Sequence, residues 1–175
     1  IGKVMPRDSS VRLSIIVPAL NEENSLKYTC MSLKPIMDDL IGVGEWEYVI
    51  IDNGSSDKTS EVIKELSQDL NVKEITLSKP DYGNALHYGL MAAQGAHSLI
   101  INVDFWDIPF IRWAWSRKDE YHLIVGSKLA DPSLNQQPKY RRFLSWGLNT
   151  VLHFFFGFVG TDTHGQKLLS MGEMR

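Results

Sequence analysis

Leu99-Ile100-Ile101-Asn102-Val103-Asp104-Phe105-Trp106-Asp107 is an apolar run that ends in acid. A short, continuously apolar segment of this kind reads as a strand buried on both faces, the pattern of a parallel sheet covered by helices. Carboxylates are costly at the end of such a strand unless they meet something cationic. Ligands of open α/β sheets sit outside the carboxyl ends of the strands, which puts Asn102, Asp104 and Asp107 where a ligand would be. Turn chemistry offers a second reading, because Asp and Asn also close strands. The stretch by itself leaves both open.

The chain before it repeats the pattern. Leu13 to Val17 is a strand stopped by Pro18, and Asn21 is a natural N-cap with Glu22 and Glu23 in the first turn of the helix that follows. Leu26, Cys30, Leu33 and Met37 recur at helical spacing, so this helix runs to about Asp39, with Pro35 expected to kink it or end it early. Trp46 to Ile51 is a second strand ending in Asp52-Asn53-Gly54-Ser55-Ser56-Asp57. Ser56 or Asp57 caps the next helix, whose buried side is Val62, Ile63, Leu66 and Leu70. Val72 to Leu77 alternates as a third strand and leads into Lys79 to Asn84, and a helix through Ala85, Leu86, Gly89, Leu90 and Ala93 ends near Gly95. Beyond the opening stretch, Trp113 to Glu120 reads as a short helix and loop, and Tyr121 to Val125 as a fifth strand.

Four strands alternating with three helices specify a parallel, right-handed α/β sheet. All four then deliver polar residues to one edge: Asn21 and Glu22, Asp52 and Asn53, Asp81 and Tyr82, Asn102 and Asp104. One acid could be a cap; four clusters at one edge read as a ligand site.

Composition narrows the ligand. With 175 residues, 43% hydrophobic and 22% charged, the chain suits one globular domain, and a net charge of -3 gives no footprint for nucleic acid. The single cysteine, Cys30, has no metal-ligand spacing around it and reads as core filling. Neither Gly-x-Gly-x-x-Gly after the first strand nor Gly-x-x-x-x-Gly-Lys-Ser/Thr is present, so the usual backbone cradles for phosphate are missing. An acidic edge and a phosphate ligand are reconciled if Asp104 is bridged to a diphosphate by a hard divalent cation such as Mg²⁺. The other acids can accept hydrogen bonds from a base N–H or ribose hydroxyls.

Three motifs in order carry a resemblance. Ser14 to Glu23, Val49 to Thr59 and Asn102-Val103-Asp104 resemble the successive signatures of family 2 glycosyltransferases, inverting nucleotide-sugar enzymes of the GT-A fold, over about residues 12 to 128. The resemblance implies a Rossmann-like, mostly parallel sheet flanked by helices. It also implies that Pro18, Leu20, Glu22 and Asp52 hold the nucleoside of a UDP- or GDP-sugar, with Asn102 beside it, and that Asp104 binds Mg²⁺ or Mn²⁺. The family's Asp-x-Asp is here Asn102-x-Asp104.

The second half adds an acceptor. Residues 131–138 form a polar loop, Lys139-Tyr140-Arg141-Arg142 is cationic, and Phe143 to Thr161 contains no Asp, Glu, Lys or Arg. Ser145, Asn149 and His153, four apart, share one helical face, which fits either a buried helix with a polar stripe or an amphipathic element at a membrane surface. It is a poor membrane span. Gly126-Ser127-Lys128, Arg141 with Ser145 and Asn149, and Asp162 to Lys167 resemble, in that order, the acceptor region of polyprenyl-phosphate glycosyltransferases of the dolichyl-phosphate mannose synthase type. That resemblance implies a lipid-linked phosphate bound by Lys128, Arg141 and Ser145, helped by Arg142, with Asp104 and Arg141 in the catalytic roles.

The expected organisation is a leader over 1–10, a GT-A core over 11–130, and a C-terminal amphipathic helical acceptor segment over 131–175 that stops short of any membrane helices. The expected location is the cytoplasmic face of a membrane, without insertion. The expected function is transfer of a hexose to a polyprenyl phosphate, dolichyl or undecaprenyl. Two alternatives stay beside it: a family 2 transferase with a sugar-hydroxyl acceptor, and a non-catalytic nucleotide-binding domain, for which Asn102 is the motive. A phosphoacceptor domain needs acids directly after the first strand, where Pro18-Ala19-Leu20 stands instead.

Overall fold

A computed structural model describes residues 10–126 and 165–172. The chain divides into two compact units, residues 1–124 with 167–175, and residues 125–166. In the second, the backbone N–H of Gly126 donates to the carbonyl of Gln166 at 2.8 Å.

The first unit carries the sheet. Its elements are β1 (Leu13–Ala19), α1 (Leu26–Leu40), β2 (Trp46–Asp52), α2 (Thr59–Asp69), β3 (Val72–Thr76), α3 (Tyr82–Ala92), β4 (His97–Ile100), α4 (Ile108–Ser116), β5 (Leu123–Val125) and β6 (Lys167–Ser170). The strand order is β3-β2-β1-β4-β6-β5. β1 pairs in parallel with β2 and β4, and β2 with β3, as the alternation of elements predicts. β6 pairs antiparallel with β4, which makes the sheet mixed.

Alternation along the central strands builds two cores. Leu13, Ile15, Val17 and Ala19 of β1 join Tyr48 and Ile50 of β2 against Leu26, Cys30, Leu33 and Met37 of α1, Ile63 and Leu66 of α2, and Ile111 and Ala114 of α4. Ile16, Val49 and Ile51 turn the other way, towards Ala85 of α3 and Met171. α3 lies close because Gly89 has no side chain; a Cβ there would stand 2.8 Å from both Ile16 and Ile51. Cys30 is core filling, with its thiol pushed up to about 12 by burial.

Several boundaries differ from the sequence expectation. Pro35 does not end α1, which runs on to Leu40 with the proline on its exposed face. The opening stretch is a strand only to Ile100; Ile101 and Val103 stay buried in the turn that follows, so their apolarity reflects burial in a loop. α3 ends at Ala92 rather than at Gly95. Gly95 instead passes beneath β1, its N–H donating to Ser14 Oγ at 2.8 Å, while Ser14 Oγ and the Gln94 N–H both donate to the buried Glu47 Oε1 at 2.6 and 2.7 Å.

Candidate active site

Parallel pairing sets Ala19 opposite Asp52 and Ile16 opposite Ile100, so the loops after β1, β2 and β4 open at one edge. The first two are stapled together. Asn21, at φ 57°, takes the left-handed backbone that asparagine tolerates. Its N–H donates to Ser55 Oγ at 3.0 Å, and its Oδ1 accepts from the Ser56 N–H at 2.8 Å. The Glu22 N–H donates to Thr59 Oγ1 at 2.8 Å, and the Glu23 N–H donates to Asp57 Oδ2 at 3.2 Å. Glu23 Oε2 in turn accepts from the Lys58 N–H at 2.9 Å. Asn21 is therefore not the cap of α1, and Glu22 and Glu23 are not in its first turn. These side chains serve the neighbouring loop, and α1 starts at Leu26 after a tight turn closed on the Glu22 carbonyl.

Asp52 is almost wholly buried. One oxygen accepts from the Ser55 N–H at 2.9 Å and the other from the Ser60 hydroxyl, so Asp52 braces the turn that Gly54 makes at φ 78°. A Cβ at Gly54 would meet the Lys79 backbone at 2.9 Å, so the loop before α3 rests directly on this turn. Asn53 completes the joint: its N–H donates to the Ala19 carbonyl at 2.8 Å and its Oδ1 accepts from the Asp81 N–H at 2.7 Å. Asp81, read from sequence as part of the ligand edge, caps α3 by accepting from the Asn84 N–H at 2.9 Å. Pro18 is half-buried at the end of β1, and Leu20 is 41% exposed beside it.

Asn102 and Asp104 flank the buried Val103, whose carbonyl accepts from Thr29 Oγ1 of α1 at 2.7 Å. That bond fixes the loop that presents Asp104, which is exposed. Glu22 lies within electrostatic reach of Asp104: burial, and then the Asp104 charge, push its carboxyl above the usual range. Two mutually repelling carboxylates at a strand edge fit a hard divalent cation that takes its remaining ligands from a diphosphate. Among the described residues no group of three His, Cys, Asp or Glu stands ready to hold a cation unaided. Asp107 does not belong to the site; its Oδ1 accepts from the Phe110 N–H and caps α4, so the turn reading holds there. Lys128, Arg141, Arg142 and Ser145, with the expected acceptor helix, lie outside the described residues.

The Glu22 shift has a direct consequence. A carboxyl raised in the folded state stabilises the fold below its unfolded pKa and loses that contribution as pH rises through the folded value. Glu22→Gln is therefore expected to raise the melting temperature at neutral pH, with the gain fading as pH falls through the ordinary glutamate range. A gain that does not vary with pH would remove this charge as its source.

Sequence reading overlooked Thr29, Ser55, Thr59 and Ser60. The run Ser55-Ser56-Asp57-Lys58-Thr59-Ser60 was the available signal, since hydroxyls so dense compete for backbone and carboxylate partners.

A sequence profile of glycosyl transferase family 2 matches residues 14–153. The chain belongs to this family. The glycosyltransferase YkcC of Bacillus subtilis, itself uncharacterized, is 33% identical over 102 residues, 57% of this chain and 31% of YkcC. Dolichyl-phosphate beta-glucosyltransferase of Mus musculus is 27% identical over 184 residues, 91% of this chain and 55% of that protein. The chain thus spans from 31% to 55% of the length of these two relatives. The structure of glucosyl-3-phosphoglycerate synthase from Mycobacterium tuberculosis with Mn²⁺, UDP and phosphoglyceric acid superposes with a TM-score of 0.66 at 20% identity, covering 92% of this chain and 56% of that one. That likeness shows the GT-A fold of this family 2 chain. Among the described residues no helix is long and apolar enough to cross a membrane.

Proposed function

We propose that this chain is the donor-binding core, with part of the acceptor region, of an inverting glycosyltransferase that moves a hexose from a UDP- or GDP-sugar to a polyprenyl phosphate. The observation that carries the reading is the meeting of Glu22, Asn102 and Asp104 at one edge of a family 2 sheet, above the braced Asp52 turn. Pro18, Leu20 and Glu22 face the nucleoside. Asp52 lies beneath it, each oxygen keeping a lone pair for a base N–H. Asp104 holds Mg²⁺ or Mn²⁺, which when bound supplies positive charge to the departing diphosphate. The mycobacterial neighbour, solved with Mn²⁺ and UDP, supports this assignment.

The acceptor assignment is supported by the relative named dolichyl-phosphate beta-glucosyltransferase and by the order of Lys128, Arg141 and Ser145 in sequence. An acceptor phosphate is already ionised near neutral pH. Its oxygen bonds to the anomeric carbon as the bond from that carbon to the donor diphosphate breaks, and the electron pair leaves with the nucleotide. No protein base is needed to remove a proton from the acceptor. Arg141 offers a planar fork suited to the acceptor phosphate, and Lys128, Ser145 and Arg142 are assigned to the same phosphate by their order in sequence. A membrane surface is where such a lipid would be met.

The test is transfer from a panel of nucleotide sugars to a short polyprenyl phosphate by the wild type and by Arg141→Ala. Transfer that falls about ten- to a hundredfold in the variant is expected, the loss of a hydrogen bond to a charged group. Equal transfer by both removes Arg141 from the site. Transfer only to sugars, proteins or small phosphorylated acids replaces the lipid acceptor with a hydroxyl acceptor, a reading that the phosphoglyceric acid in the mycobacterial structure keeps in view. No transfer to any acceptor, with nucleotide still bound, leaves the non-catalytic alternative.

A further inference from the structure

Asn102 stands beside Asp104 with an amide in place of a carboxylate, and an amide has two unlike ends. Which end faces a ligand is decided by what holds the other. Here the Tyr82 hydroxyl donates to Asn102 Oδ1 at 3.5 Å. Among the described residues the Nδ2 group has no hydrogen-bond partner, so none of them commits its two N–H donors. Tyr82 is well placed to do this. It is the first residue of α3, directly after the Asp81 cap, and the Asp81 N–H is tied through Asn53 to the end of β1. A phenol keeps its proton at neutral pH, so the Tyr82 hydroxyl remains a donor.

We propose that Tyr82 is a positioning residue for the donor substrate: it fixes the Asn102 amide with its oxygen inward, so that two N–H groups meet a phosphate or hydroxyl oxygen of the nucleotide sugar beside Asp104. This rests on the nucleotide-sugar reading given above. The chemistry differs from that of a second carboxylate. An amide held this way presents N–H donors rather than an anionic oxygen, and it attracts the ligand's oxygens where a carboxylate repels them. Part of the hold on the nucleotide is therefore independent of any metal.

The experiment is calorimetric binding of UDP and of GDP to the full chain, in Mn²⁺ and in chelator, for the wild type, Tyr82→Phe, Asn102→Ala and the double variant. Phenylalanine keeps the ring and removes only the hydroxyl. Tyr82→Phe is expected to weaken binding roughly three- to tenfold in both conditions, the range of one net hydrogen bond. In the Asn102→Ala background the same change is expected to do nothing, because the hydroxyl there has no amide to orient. A merely structural role for Tyr82 would not produce that coupling. Equal affinities of Tyr82→Phe and wild type, additive losses in the double variant, or wild-type binding that vanishes altogether in chelator would each overturn the inference while leaving the nucleotide reading intact. Failure of the wild type to bind either nucleotide under any condition overturns both.

Discussion

Asp104→Asn is expected to cut sugar transfer by about a hundred- to a thousandfold, the scale on which removal of one preorganised electrostatic contact to a developing charge is felt. Asp104 is exposed, and its loop is held by Val103 and Thr29 rather than by its own carboxylate. The melting temperature without ligand should therefore not fall, and relief of the repulsion with Glu22 gives at most a small rise at neutral pH. That separation of activity from stability is the informative part. The measurement is kcat/KM for the nucleotide sugar together with a thermal melt. Wild-type transfer by the variant would move the catalytic role elsewhere, and a large drop in melting temperature would make Asp104 a structural residue.

The second large effect is on the fold. A Cβ at Gly95 would stand 2.6 Å from Ser14 N, 2.7 Å from Leu13 C and 2.8 Å from His97 O. All three are backbone atoms of the paired strands β1 and β4, so no side chain can swing aside. Gly95→Ala is expected to cost about 3 kcal/mol or more, the range of overpacking with a lost buried hydrogen bond. Gly83→Ala is the matched control, because its Cβ would meet only Asp81 Oδ1 at an ordinary 3.5 Å. There the helix preference for alanine predicts neutrality or a gain of up to about 1 kcal/mol. Denaturant unfolding of the two variants reads the difference, and similar midpoints would mean that β1 and β4 yield.

Gly95 shows where sequence reading stops. Gly95 was expected to end a helix, and it is the crossing point beneath β1 that matters, which no local pattern encodes. The strands β1 and β2 were legible because two-sided burial makes them uniformly apolar. β4 was overextended for the same reason, since Ile101 and Val103 are apolar for burial in a turn. The carboxyl-edge clusters were legible because parallel strands must end together. The partners of Asn21 lie 34 and 35 positions away, at Ser55 and Ser56, and local helix rules assigned it to a cap instead. β6 was missed: four residues with one polar member at each end give neither an alternation nor a run long enough to read.

That short strand governs the order in which the sheet can be finished. β6 pairs with β4 across about seventy positions of sequence, a separation of the same order as that between β1 and β4, and it is the pairing whose second strand is made last. Closing so long a loop is entropically slower than any local pairing, which raises the contact order of this half of the sheet. Until Lys167 to Ser170 leave the ribosome, the nascent chain carries β4 with its outer row of amides and carbonyls unclaimed by β6. An open row of that kind recruits foreign strands, so the arrival of β6 covers the row that β4 would otherwise offer, and among the described strands only β3 and β5 are left at the ends of the sheet.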